Sequence, residues 1–181
     1  DISATEAAEK LSQFRNVTNM ATDDFDHLGS AIVDLGNKNS TTESSIMDMA
    51  TRIAAAGTQV GLSVQEILAM ATALSSVGIE AEMGGSAFSK ALIKIEVAAA
   101  EGADGLEDFA SVAQMTNEEF YKLWKSNPAD AFMSFIQGLS QLDEEGISAI
   151  ATLNDMGFKE VRLRDTLLRS TNAVDLLHKT L

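Results

Sequence analysis

The sequence predicts an all-α fold, a compact array of about nine or ten short to medium helices arranged as stacked helical hairpins. Three observations predict it. A single proline, Pro128, occurs in 181 residues. The filler is mostly Ala, Leu, Met, Glu and Ser rather than the β-branched and aromatic residues that suit pleated sheets. Apolar residues recur at i, i+3, i+4 and i+7 in one segment after another, with glycine-marked turns between segments.

Ser3 to about Val17 reads as the first helix. Asp23, Asp24 and Asp26 suit the positive end of a second helix's dipole. That helix carries Leu28, Ile32 and Leu35 and should stop at Gly36-Asn37, with the break extending through Asn39-Ser40. A third helix places Ile46, Met49, Ala50, Ile53, Ala54, Gly57 and Val60 on one stripe. Its small members, Ala50, Ala54 and Gly57, predict a closely approaching neighbour.

Gly61 ends that helix, and Ser63-Val64-Gln65-Glu66 opens the fourth as a capping box. Val64, Ile67, Leu68, Ala71, Leu74 and Val77 form its stripe. Gly78-Ile79 closes it as a glycine followed by an apolar residue, the pattern also found at Gly61-Leu62 and Gly157-Phe158. Gly84-Gly85 reads as a flexible helix start. From Ser86 to about Ala100, a fifth helix puts Ala87, Phe88, Ala91, Leu92, Ile95, Ala98 and Ala99 on one face.

Gly102 to Gly105 breaks the chain again, and a short helix spans about Leu106 to Ala113. Thr116-Asn117-Glu118-Glu119 is a second capping box, opening Phe120 to Lys125. Asn127-Pro128 is a cap followed by proline at the first helical position, and the next helix carries Phe132, Phe135, Ile136 and Leu139. Glu144 to Met156, Lys159 to Arg169 and Ala173 to Lys179 complete the series. The organisation is either two subdomains, 1–104 and 105–181, or one continuous domain, and no strict repeat is present.

Composition excludes several functions. Without cysteine there is no disulfide framework, thiolate zinc site or cysteine nucleophile. The longest weakly charged run, around Ala91 to Ala100, is interrupted by Lys94 and Glu96 and is far shorter than the ~20 residues of a bilayer span. No basic, then apolar leader opens the chain, which begins at Asp1 and reads as a fragment of a longer protein. A net charge of −14 repels nucleic-acid phosphate. The charge is uneven: Asp1 to Phe158 carries −16, whereas Lys159 to Leu181 carries +2. That basic end is either a solvated helix face or a docking surface for an acidic partner.

No catalytic, cofactor-binding or metal-binding residue is assigned. His27 beside Asp23, Asp24 and Asp26 lacks the alternating oxygen ligands and central glycine of a calcium loop, and supplies one imidazole where zinc needs more. His178, the other histidine, suits a helix end. No G-x-S-x-G or S-x-x-K pattern offers a nucleophile. Gly84-Gly85-Ser86 lacks the preceding strand and the lysine of a phosphate loop. Glu118-Glu119 and Asp143-Glu144-Glu145 are acid groups at helix starts. Asn16-Val17-Thr18 and Asn39-Ser40-Thr41 match the glycosylation pattern but follow no secretory signal. Tyr121 and Trp124 share a helix with Phe120 and Leu123, which reads as core packing rather than a base-stacking platform.

The stretch from Gly61 to Ile95, GLSVQEILAMATALSSVGIEAEMGGSAFSKALIKI, resembles the core region of tailed-phage, including prophage, tape measure proteins. Gly61, Ser63 and Glu66 match that family's helix start, Leu74, Gly78 and Ile79 its helix stop, and Gly85, Ser86, Ala87, Phe88 and Leu92 the opening of its next helix. Ser86 stands where the family usually has threonine and keeps the hydroxyl. SSIMDMATRIAAAGTQV, NPADAFMSFIQGLSQL and ATLNDMGFKEVRLRDTLLRS extend the resemblance over roughly the whole chain.

The resemblance implies a non-enzymatic structural module of a protein lying inside the virion tail tube, present in the host cytoplasm during assembly. Such a protein sets tail length and leaves with the DNA. Implied partners are tail-tube and tail-tip or baseplate proteins, tail assembly chaperones and other copies of the chain. No cofactor, specific nucleic-acid site or membrane span is implied. The competing expectations are a peptidoglycan-degrading tail module and a cytoplasmic helical adaptor. As one continuous helix the chain would mark at most about 270 Å, and its glycine stops predict a compact module instead.

Overall fold

The computed structural model describes residues 3–21, 25–144, 146–174 and 176. Ten α-helices occur among them: α1 (Ala4–Thr18), α2 (Phe25–Lys38), α3 (Glu43–Gln59), α4 (Val64–Ser76), α5 (Ala81–Ala99), α6 (Glu107–Val112), α7 (Asn117–Ser126), α8 (Pro128–Glu144), α9 (Ala149–Asp155) and α10 (Val161–Ser170). Single-turn 3-10 helices lie at Ala103–Leu106 and Thr171–Ala173, and no strand is found among the described residues. The fold is an all-α helical array.

Local chemistry fixes most of the boundaries. Ser3, Ser63 and Thr116 each form a reciprocal capping box with the glutamate three residues on, opening α1, α4 and α7. Thr42 and Ser148 cap α3 and α9. Asn127 Oδ1 accepts the Asp130 N–H one residue before Pro128, which begins α8 without needing a donor of its own.

Helix ends repeat one device. At Gly61-Leu62, Gly78-Ile79 and Gly157-Phe158 the glycine takes positive φ, and the apolar residue after it donates back five residues, to Gly57, Leu74 and Leu153. The same bonds close Gly146-Ile147 onto Leu142, Gln114-Met115 onto Ala110 and Asn19-Met20 onto Arg15.

Several expected boundaries are corrected. α2 runs through Gly36 and Asn37 to Lys38; Gly36 is not a stop but a gap, because a Cβ there would lie 3.0 Å from Glu43 Cδ. α5 begins at Ala81, so Gly84 and Gly85 lie inside the helix and are not a flexible start. Glu144 ends α8 rather than opening the next helix, and α9 begins only at Ala149, after Gly146 has turned the chain. The Gly102 to Gly105 break contains a 3-10 turn, and α10 begins at Val161 rather than Lys159. Beyond Thr171–Ala173, the expected Ala173 to Lys179 helix falls largely on residues outside those described.

α3 is the hub, packing against α1, α2, α4 and, most extensively, α5. The close approach expected of Ala50, Ala54 and Gly57 is found. All three are buried, and Gly57 faces Ile67 of α4 where a Cβ would stand 3.0 Å from Cγ1. The other half of the fit comes from α5: Gly84 leaves room for Met49 and Gly85 for the Cβ of Arg52. α4 departs from the expected single stripe, because every residue from Ile67 to Leu74 is buried. A helix buried all round is a core helix, and its Thr72 hydroxyl is satisfied by the Leu68 carbonyl at 2.8 Å.

A second packing centre is aromatic. Phe88 of α5 meets Phe132 of α8 edge-on, with ring centroids 4.9 Å apart, and Phe109, Phe135 and Phe158 continue the cluster. Buried side chains from Phe14 to Val174 form one hydrophobic cluster.

α1 and α2 are held unequally. α1 buries Phe14 completely and ties Lys10 Nζ to Asp48 of α3 at 2.6 Å and to Ser44 at 3.2 Å. α2 places Leu28 and Ile32 in the core, about 3–6 kcal/mol of apolar burial between them. Its Lys38–Asp34 ion pair runs along the helix itself.

Candidate functional site

The segment from Gly61 to Ile95 folds as α4 and most of α5, each packed extensively against α3, so the motif residues serve packing on that hub. Gly61 supplies positive φ, Ser63 and Glu66 close the capping box, and Gly78 and Ile79 make the stop. Gly85 faces Arg52, and Ala87, Phe88 and Leu92 are buried. Ser86 is exposed inside α5 rather than capping it.

Several charged side chains form structural pairs or helix caps. Glu119 belongs to the α7 capping box and Glu118 pairs with Lys122 at 3.3 Å. The Glu119 carboxyl is held below the ordinary glutamate value by the hydroxyl and backbone N–H of Thr116. Glu6 is likewise lowered by the backbone N–H and hydroxyl of Ser3. Hydrogen bonds to the charged form lower a carboxyl in this way without implying acid–base chemistry. Among the described residues, no group of three His, Asp or Glu side chains is placed to hold a metal ion.

His27 is exposed and borders a groove between α2 and α4 that is also lined by Met20, Leu28, Ala31, Val64 and Leu68, with a volume of about 430 Å³. Asp23 and Asp24, the side chain of Asp26, and His178 lie outside the described residues, as do the side chains of Asp143, Glu144 and Glu145. A second groove, about 380 Å³, separates the start of α5 from the start of α10, with Met83, Ala87 and Leu163 among its lining and Glu80, Lys90 and Arg162 at its margin.

The two residues that interrupt the apolar run of α5 have specific partners. Lys94 Nζ lies over the Phe158 ring, 5.5 Å from its centroid. Glu96 accepts the Trp124 indole N–H at 2.7 Å and pairs with Lys125 at 3.2 Å. Phe120 and Trp124 are buried, as core packing predicts. The basic end is partly tied down at the surface. Arg164 donates to the carbonyls of Phe158 and Lys159, Arg169 donates to that of Gly78, and Glu160 pairs with Lys90. Sequence reasoning missed these pairings; the signal was a charged residue within each otherwise apolar or helical pattern.

Among the described residues, no helix is long and apolar enough to cross a membrane. A family model described as a phage-related minor tail protein matches residues 1–156. No curated protein and no solved structure matches the chain.

Proposed function

The chain belongs to the phage-related minor tail protein family and is a structural component of a phage tail, and from that membership we propose that it is a compact, non-enzymatic module of a tape measure protein. The module serves tail assembly and DNA ejection within the tail tube; it contributes to length determination as a folded unit, not as extended ruler. One observation carries this reading: the longest described helix, α5, has 19 residues and spans about 29 Å. A ruler acts through extended length, and six helix ends here are turned back by a left-handed residue.

Tail-tube, tail-tip or baseplate proteins, assembly chaperones and further copies of the chain are the partners this reading requires. The acidic surface keeps the module from adhering to DNA passing through the same tube. The test is tail length in electron micrographs of phage carrying an in-frame deletion of this segment. Tails of nearly normal length that fail to infect, or tails that never form, support the compact module. Shortening by nearly the fully helical length of about 270 Å would overturn it. A cleared zone on a cell-wall zymogram would overturn the non-enzymatic assignment.

A further inference from the structure

α2 is held differently from its neighbour α1. Among the described residues it packs chiefly against α3 and α4, with Leu28 and Ile32 buried and Leu35 partly buried against the core. The Lys38–Asp34 ion pair is internal to it, whereas its neighbour α1 is tied to α3 by Lys10. Two of its residues, Gly29 and Gly36, are glycines inside a helix, each a weak helix former. Val33 is half-exposed on its outer side.

The two ends of α2 are unlike. At the C-terminal end Asn39 Nδ2 donates to the Leu35 carbonyl, and Glu43 lies against Gly36. Thr41 Oγ1 donates to Ser75 Oγ of α4, fixing the corner that leads into α3. At the other end the groove lined by Met20, Leu28, Ala31, Val64 and Leu68 already separates α2 from α4. Beneath it, α4 is buried on every side from Ile67 to Leu74.

We propose that α2 is a strap that opens as its own cooperative unit about the Asn39–Thr42 corner, baring the Val64–Leu68 face of α4 while the rest of the core stays folded. Segments with few buried apolar contacts and weak local propensity open at lower free energy than the core to which they are attached. The groove at its far end is where the separation begins, and the fixed corner returns the strap to the same place. This rests on packing and not on the assignment of the chain to a tape measure protein.

Hydrogen exchange measured by mass spectrometry on the whole chain tests it, with Gly29→Ala as the variant. A Cβ at Gly29 meets nothing within 4 Å, so the variant strengthens α2 without disturbing its fit. In the unaltered chain, amides of α2 should exchange at least about tenfold faster than those of Ile67–Leu74. Gly29→Ala should slow α2 by about fivefold and leave α4 and α5 unchanged. Equal exchange in α2 and α4, or equal slowing of both by Gly29→Ala, would mean that α2 opens only with the whole molecule and would overturn the proposal.

Discussion

The indole N–H of Trp124 donates to Glu96 Oε2 at 2.7 Å, across 28 residues of sequence, and so joins α7 to α5. Trp124 is 2% exposed, while the Glu96 side chain that reaches it is 39% exposed. Glu96→Ala should therefore cost about 0.5–1.5 kcal/mol, the net worth of a hydrogen bond whose donor can turn to water once the carboxylate is gone. Glu96→Gln keeps an acceptor and should cost less. Urea unfolding followed by the fluorescence of this single tryptophan measures both. Identical midpoints for Glu96→Ala and the unaltered chain would show that the bond contributes nothing.

Gly85 and Gly138 owe their identity to what lies against them. A Cβ at Gly85 would collide with the Cβ of Arg52, and one at Gly138 with the carbonyl oxygen of Val112. Overpacking of this kind costs about 1–3 kcal/mol, which exceeds the ~1 kcal/mol that alanine returns in helix propensity. Both Gly85→Ala and Gly138→Ala should lower the thermal midpoint. Gly138→Ala should lower it more, because a backbone carbonyl moves only with its helix. A midpoint raised by either substitution would contradict the close approach at that position.

How much was legible in the sequence follows from how local each signal is. The boxes at Ser63 with Glu66 and Thr116 with Glu119, and the stops at Gly61, Gly78 and Gly157, involve residues within one turn of each other, and they stand where the sequence places them. Gly146-Ile147 carries the same signal, and it is this stop that places the start of α9 at Ala149 rather than Glu144. Asn19 and Gln114 adopt positive φ without being glycine, so their stops carried little signal. Gly84 and Gly85 read as local flexibility, but their reason is tertiary: Met49 and Arg52 lie on another helix. The burial of α4 on every side depends on which helices surround it. Its stripe of Val64, Ile67, Leu68, Ala71 and Leu74 was visible, but the burial of Ala69, Thr72 and Ala73 was not. For the functional surfaces, the sequence showed an excess of cations after Phe158 but not that Arg164 and Arg169 turn toward backbone carbonyls.

Acid should weaken the chain at two helix starts. The carboxyls of Glu6 and Glu119 lie below the ordinary value of 4.5 in the folded chain, held there by hydrogen bonds from Ser3 and Thr116. A depressed folded value means that the charged form is favoured by folding. Its contribution is complete above the ordinary glutamate range and is lost as pH falls through the lower folded value. Stability should therefore be level for these two groups above that range and decline below it. Thr116→Ala removes the hydroxyl bond and should flatten the acid decline relative to Thr116→Ser, which keeps it. Urea midpoints measured across the acid range distinguish the two; superimposable profiles would show that the Thr116 hydroxyl is not what lowers Glu119.

Phe88 and Phe132 decide whether the residues before and after 104 unfold together. Phe88 lies in α5 and Phe132 in α8, and their rings meet at 4.9 Å, with α10 also packed on both helices. Contacts of this depth couple the two stretches, so we expect one cooperative transition by circular dichroism and by tryptophan fluorescence alike. Phe132→Ala should remove about 3–5 kcal/mol and move both signals by the same amount, although Trp124 lies on the later side of residue 104. Two transitions, with Phe132→Ala shifting only the one that tryptophan reports, would instead mark 1–104 and 105–181 as separate folding units. The shared aromatic contact argues for the single transition, because cutting the chain's core at that point would expose Phe88, Phe132 and their neighbours on both sides.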